Sequence, residues 1–200
     1  MKRILLAAIA MSLILTTTRT MASPPPADQV MGQAQAKAAK EHKAIFLHFG
    51  ASWCGWCKRL DAYLDRPEVK PVVDKYFVLV TLDIQEQGEK KVLENAGGDA
   101  YAEKFGGLNG GLPYIALLDA EGALLVNSRP TAEAQNIGFP SAPAEVEWFL
   151  KMLKKAAPTM TDADLKTFET PLRVVAKPVG DGAVPQPAVK AVAVPGSVQK

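Results

Sequence analysis

Cys54 and Cys57 are the only cysteines in the 200-residue chain, and just two residues separate them in Trp53-Cys-Gly-Trp-Cys-Lys58. A thiolate is both a nucleophile and a soft metal ligand, so a pair at this spacing can exchange disulfides or hold a metal. The pair is a poor structural staple, because the loop it closes is too short to restrict the unfolded chain appreciably. Structural zinc needs two further ligands, usually from a second CxxC or a paired histidine motif. This chain offers only His42 and His48, both upstream and wrongly spaced. An inert buried pair also fits badly, since Trp53, Trp56 and Lys58 are hard to bury together. Disulfide exchange is the chemistry that fits best, with Cys54 attacking and Cys57 resolving the mixed disulfide. No metal and no cofactor are expected.

The surrounding elements suit that chemistry. Ala44-Ile-Phe-Leu-His-Phe49 is an almost continuous apolar run, as in a strand buried on both faces of a sheet, and Gly50-Ala-Ser52 ends it. From Cys54 to Leu64 the pattern turns helical, with Cys57, Leu60 and Leu64 on one stripe. Cys54 thus falls where unpaired N–H groups and the positive end of the helix dipole favour a thiolate, Cys57 lies one turn inward, and Gly55 leaves the turn open. A helix is expected over 28–41, with Asp28 as its cap. Asp65-Arg-Pro-Glu68 reads as a fresh helix start. Tyr76 to Leu82 reads as a second strand, and Glu89 to Phe105 as a helix weakened by Gly97-Gly98. Pro113 opens the strand Tyr114 to Leu118, which turns at Asp119-Ala-Glu-Gly122 into Ala123 to Val126. A last amphipathic helix spans 144–157 on a stripe of Val146, Phe149, Leu150 and Leu153, and Thr161 to Asp164 caps a short one.

The segment Phe49-Gly-Ala-Ser-Trp-Cys-Gly-Trp-Cys-Lys58 resembles the active site of thioredoxin-like proteins, and the resemblance extends over about Asp28 to Ala157. Gly111-Leu-Pro-Tyr-Ile115 resembles that family's Gly-apolar-Pro segment, whose proline is cis and faces the disulfide. Asp65-Arg-Pro-Glu-Val69 resembles an exported bacterial subgroup with an extra helix after the active-site helix. The resemblance implies an α/β fold, a central mixed sheet flanked by helices, and a protein-disulfide oxidoreductase. It implies Cys54 and Cys57 as catalytic residues, supported by Trp53, Gly55, Trp56, Lys58, Pro113 and His48. Trp56, Leu112 and Pro113 would receive substrate, Trp56 as exposed apolar surface and Leu112 through its backbone. Trp53 is expected to be half core. Two departures matter: Gly-Trp stands between the cysteines where thioredoxins have Gly-Pro, so redox direction is not carried over, and His48 stands where they have a buried acid. The alternative is a thioredoxin-like metallochaperone or binding module using the thiols for Cu(I) or a partner. Copper handlers of this fold usually add a histidine beyond the proline, and none follows His48.

The remaining chain bounds where this chemistry takes place. Lys2 and Arg3, the apolar run Ile4 to Leu15 and the small-residue end Thr20-Met21-Ala22 have the layout of a cleaved signal peptide, 1–22. That predicts a periplasmic or secreted protein with no stable membrane insertion after leader removal. A Pro-rich linker, 23–27, precedes the domain, 28–157; a short C-terminal helix or extension, 158–172, and a disordered Ala/Val/Pro-rich tail, 173–200, follow. With 48% hydrophobic and 22% charged residues, a single folded core is affordable to the chain. Removing Lys2, Arg3 and Arg19 takes the formal charge from +2 to −1, which leaves no basic footprint for nucleic acid. A monomer is expected, acting on protein thiols and disulfides with an unidentified redox partner.

Overall fold

Residue alternation along one central strand explains the architecture. In the computed structural model, which describes residues 23–175, β1 (Ala44–Gly50) is buried along its whole length. Ile45, Leu47 and Phe49 face one apolar cluster and Phe46 faces the other. Such a strand must lie between two layers, since its side chains point alternately to opposite faces. Parallel to β1 runs β2 (Phe77–Asp83), with His48 opposite Thr81 and Gly50 opposite Asp83. On its other side β3 (Tyr114–Leu118) runs antiparallel and pairs in turn with β4 (Leu124–Asn127), giving the order β2-β1-β3-β4. This is the mixed sheet of the thioredoxin-like fold.

Helices cover both faces. On one lie α1 (Ala27–Glu41) and α4 (Gly98–Lys104), which bring Met31 and Ala102 onto Ile45, Leu47 and Phe105. On the other lie α2 (Gly55–Leu64), α3 (Lys70–Tyr76), α5 (Pro143–Ala156) and α6 (Asp162–Val175). There Phe149 meets Phe46, Tyr63 and Phe168 edge-on, and Tyr63 donates to the Phe168 carbonyl at 2.7 Å. Among the described residues no helix is long and apolar enough to cross a membrane.

Several expected elements are corrected. Asp28 does not cap α1: Pro26 holds that position, and the Asp28 carboxylate accepts the Tyr101 hydroxyl at 2.8 Å. Asp65 ends α2 instead of starting a helix, with its N–H on the Asp61 carbonyl, and α3 begins only at Lys70 with Pro71 in its first turn. The helix expected over 89–105 is split into a 3₁₀ turn, Gly88–Leu93, and α4. Asn95 causes the break. Its side chain accepts from Asp83 N and donates to the Pro25 carbonyl, both at 2.8 Å, drawing the chain against β2. Gly97 then reverses direction at φ 85°, where a residue without Cβ is favoured. In α5 Met152 is buried and Leu150 only partly so, because the stripe turns toward α6. Thr161 and Asp164 do form a capping pair, and α6 then runs to Val175, into the segment read as tail. The leader, 1–22, and residues 176–200 lie outside the described residues.

Candidate active site

Gly50 ends β1, and the following turn delivers Cys54 to the start of α2. There Cys54 is the N-cap residue, and its sulfur accepts the Cys57 N–H at 3.0 Å. Helix-start N–H groups lack intrahelical partners, so this bond favours negative charge on Cys54. The two cysteines are joined by a disulfide. In this disulfide state Cys54 and Cys57 are alike in exposure, at 4% and 3%, with Ala51 and Leu112 packed against them. The asymmetry lies in bonding instead: Cys54 faces the helix-start N–H, whereas Cys57 packs toward the sheet at Gly50.

The flanking residues sort by position. Trp53 and Trp56 are 50% and 42% exposed, so Trp53 is no more core than Trp56. Its indole N–H donates to the Gln85 carbonyl at 2.8 Å, which holds it outside. Trp56 stacks on Phe139 with ring centroids 6.1 Å apart. Gly55 is exposed, with open space where a Cβ would stand, and Lys58 is exposed on α2. Leu112–Pro113 is a cis peptide. Asn136 holds this segment by donating to the Gly111 carbonyl at 3.0 Å and the Pro113 carbonyl at 2.8 Å. Its oxygen accepts from Ser128 Oγ and Gly138 N, so its orientation is fixed from both ends.

His48 is buried on β1, on the same strand face as Gly50. Its Nε2 lies 2.8 Å from Thr81 Oγ1 and 3.2 Å from Asp61 Oδ1, while Nδ1 has no partner among the described residues. Asp83, the β2 residue opposite Gly50, was not singled out in the sequence. A Cβ at Gly50 would stand 3.6 Å from Asp83 Oδ1 and 3.8 Å from Cys57 Sγ, so acid and sulfur border the same small space. Burial raises the Asp83 pKa above the usual carboxylate value, and the negative charges of Glu86 and Asp61 raise it further, while His48 opposes them. Glu86 is a second acid the sequence did not flag. It is 3% exposed and accepts Ser52 N at 2.5 Å and Ser52 Oγ at 2.8 Å, which ties down the turn before Cys54. The available signal was an acid closing each end of Asp83-Ile-Gln-Glu86, directly after an apolar strand. Among the described residues no cluster of three or more His, Cys, Asp or Glu is arranged to hold a metal.

A thioredoxin-like family model matches residues 28–120. No curated protein sequence matches the chain significantly. Among solved structures, a disulphide isomerase from Xylella fastidiosa Temecula1 is 19% identical, with 77% of this chain and 99% of that one covered and a TM-score of 0.45. The DsbH oxidoreductase is 25% identical over 70% of this chain and 92% of that one, with a TM-score of 0.44. The oxidised C-terminal domain of DsbD from Neisseria meningitidis is 21% identical over 66% and 99%, with a TM-score of 0.40. Likenesses this loose add nothing to what the strand order gives. The family match instead coincides with the region where a strand runs into a CxxC pair at a helix start and a cis proline enters the antiparallel strand, so that residues 28–120 match the thioredoxin-like family where the fold itself is thioredoxin-like.

Proposed function

We propose that this protein is a thiol-disulfide oxidoreductase that acts on protein disulfides outside the cytoplasm through Cys54 and Cys57. The observation that carries the reading is the Cys57 N–H on the Cys54 sulfur at the start of α2, which favours a thiolate where a substrate disulfide would arrive. In the reducing direction the Cys54 thiolate attacks one sulfur of the substrate disulfide, forming a mixed disulfide and releasing the other sulfur as a thiolate. Cys57, once deprotonated, attacks the Cys54 sulfur. The Cys54–Cys57 bond forms, the second substrate thiolate leaves, and the substrate has gained the two electrons the dithiol has lost. A thiol partner must then restore the dithiol; run backward, the same steps oxidise a substrate dithiol.

Cys57 needs somewhere to send its proton, and Asp83 is assigned that role. Its carboxyl borders the same space as the sulfur, and its raised pKa brings proton exchange closer to neutrality. His48 is assigned a positioning role, holding Asp61 beside this cluster. Trp56 and the backbone of Leu112 are assigned to substrate: Trp56 offers exposed apolar surface beside Cys54, and Leu112 packs on the dithiol between two carbonyls already bound by Asn136. Export rests on the leader-like sequence of residues 1–22.

Insulin reduction by a thiol donor tests the reading. Turnover by the wild-type protein, abolished by Cys54→Ser, is expected. An unaltered rate in that variant would overturn it.

A further inference from the structure

Beyond the dithiol, one face of α2 continues as a groove. Trp56, Arg59 and Tyr63 lie at i, i+3 and i+7, so they share a helix face; Arg59 and Ala62 start the neighbouring row, and Arg66 follows just past the end of α2. Trp56 stacks on Phe139, Phe139 meets Tyr63 edge-on at 6.0 Å, and the three rings make a continuous wall leading away from the dithiol. Behind the wall is a cavity of about 250 Å³ floored by Ala62, Tyr63, Phe139 and Pro171. That is smaller than the ~300 Å³ at which small-molecule pockets begin, and suits one large apolar side chain. At its rim Arg59 places its guanidinium 4.7 Å from the centre of the Trp56 ring. Arg66, at the far end, is paired with Glu68 at 2.7 Å, whereas no acidic group among the described residues pairs with Arg59. A larger hollow of about 680 Å³ beside Gly106 and Arg129 lacks this feature, because its guanidinium is already committed to the carbonyls of Ala132, Ala134 and Gly106.

We propose that this groove receives the polypeptide next to the reacting cysteine of a substrate, with Arg59 binding a carboxylate and the cavity beyond it taking an apolar side chain. The inference rests on the oxidoreductase reading and adds a substrate class to it: cysteine segments that carry an acidic residue and then an apolar one. The helix rise sets the spacing. From Cys54 to Arg59 is about 7.5 Å along the axis, and to Tyr63 in the cavity floor about 13.5 Å. An extended chain at ~3.4 Å per residue covers these in about two and about four residues. The carboxylate therefore belongs about two positions from the substrate cysteine, and the apolar side chain about four. Arg59 fits a carboxylate because its charge is uncompensated and its position is fixed by the ring beneath it.

Two ten-residue peptides test this, each with one cysteine capped as its methyl disulfide and a leucine four positions from it. One carries glutamate two positions from the cysteine and the other lysine, with the order synthesised in both chain directions. Thiol release by the reduced wild-type protein should be about tenfold faster for the glutamate peptide at low ionic strength, and the ratio should fall toward one with added salt. Arg59→Glu should reverse the preference, and Arg59→Lys should retain it. A second measurement does not depend on redox chemistry: the same peptides with serine for cysteine are titrated into the oxidised protein and followed by amide chemical shifts. The glutamate peptide should move Arg59, Ala62 and Phe139 in preference to the rest of the fold. Equal rates in both chain directions, or shifts absent from the groove, would overturn the inference, and the oxidoreductase reading would stand provided either peptide is reduced. If neither peptide nor insulin is reduced, that reading fails, and the shifts alone decide the groove.

Discussion

Two side chains in contact with one short space divide the chemistry at the residue scale. Cys54 takes the helix-start N–H, and Cys57 lies toward Gly50 and Asp83. Cys57→Ser is accordingly expected to accumulate mixed disulfides with substrates, visible on non-reducing gels, while Cys54→Ser accumulates none and loses insulin reduction by about a thousandfold or more. In the reduced wild-type protein at neutral pH, alkylation followed by peptide mapping should find Cys54 modified before Cys57. Asp83→Asn should slow the resolving step and remove one ionisation from its pH profile, whereas His48→Ala should leave that ionisation in place. The same variant makes a stability prediction. The folded-state pKa of Asp83 is raised, so its contribution is fully present while the carboxyl is protonated and is lost as pH rises through the folded value. Asp83→Asn should thus raise Tm at neutral pH, with the gain vanishing at low pH; a gain that grew on acidification would contradict the burial argument.

At the scale of elements, the site depends on ties that cross from one loop to another. Gln85, at φ 57°, accepts the Trp53 indole on its carbonyl and reaches the Leu108 carbonyl with its amide, both at 2.8 Å. One residue thereby links the turn before α2 to the loop before Pro113. Next to it Glu86 secures Ser52. Glu86→Ala leaves a part-buried N–H and hydroxyl without their charged acceptor and is expected to cost about 1.5–3 kcal/mol in urea denaturation. Oxidised protein should show this loss as clearly as reduced protein, because the tie does not involve the sulfurs. Helix α6 completes the α2 face, with Phe168 fully buried against Phe149. Phe168→Ala should cost about 3–4 kcal/mol by the same measurement. Loss below 1 kcal/mol would mean that α6 adds little to the core.

For the whole molecule, the sheet order places the strand-end residues of β1, β2 and β3 at one end, where the dithiol, the acid cluster and the cis proline meet. Where this assembly works is tested by the leader. Mass spectrometry of the protein recovered from the cell envelope is expected to find a chain beginning at Ser23 or within a residue or two, and an intact Met1 in soluble cytoplasmic material would contradict export. Redox direction is a property of the same whole: the potential of the Cys54–Cys57 couple against glutathione separates a reductant, well below the glutathione pool, from an oxidant above it.

What the sequence determined by itself is local or periodic. The cysteine spacing names a chemistry, the unbroken apolar run names a strand between two layers, and the stripe of Cys57, Leu60 and Leu64 places the pair on a helix, because each signal is carried by near neighbours in the chain. Where local pattern and tertiary contact disagree, the contact wins: Asn95 is an unremarkable polar residue in a helical-looking segment until its bonds to Asp83 and Pro25 break that helix in two. Asp83, Glu86, Asn136 and Phe139 became visible only in the folded chain, for the same reason. A single acid, amide or ring has no period of its own, and its meaning comes from the partner it meets: Cys57 across Gly50, Ser52 across a loop, the carbonyls on either side of Leu112, and Trp56 on the neighbouring helix.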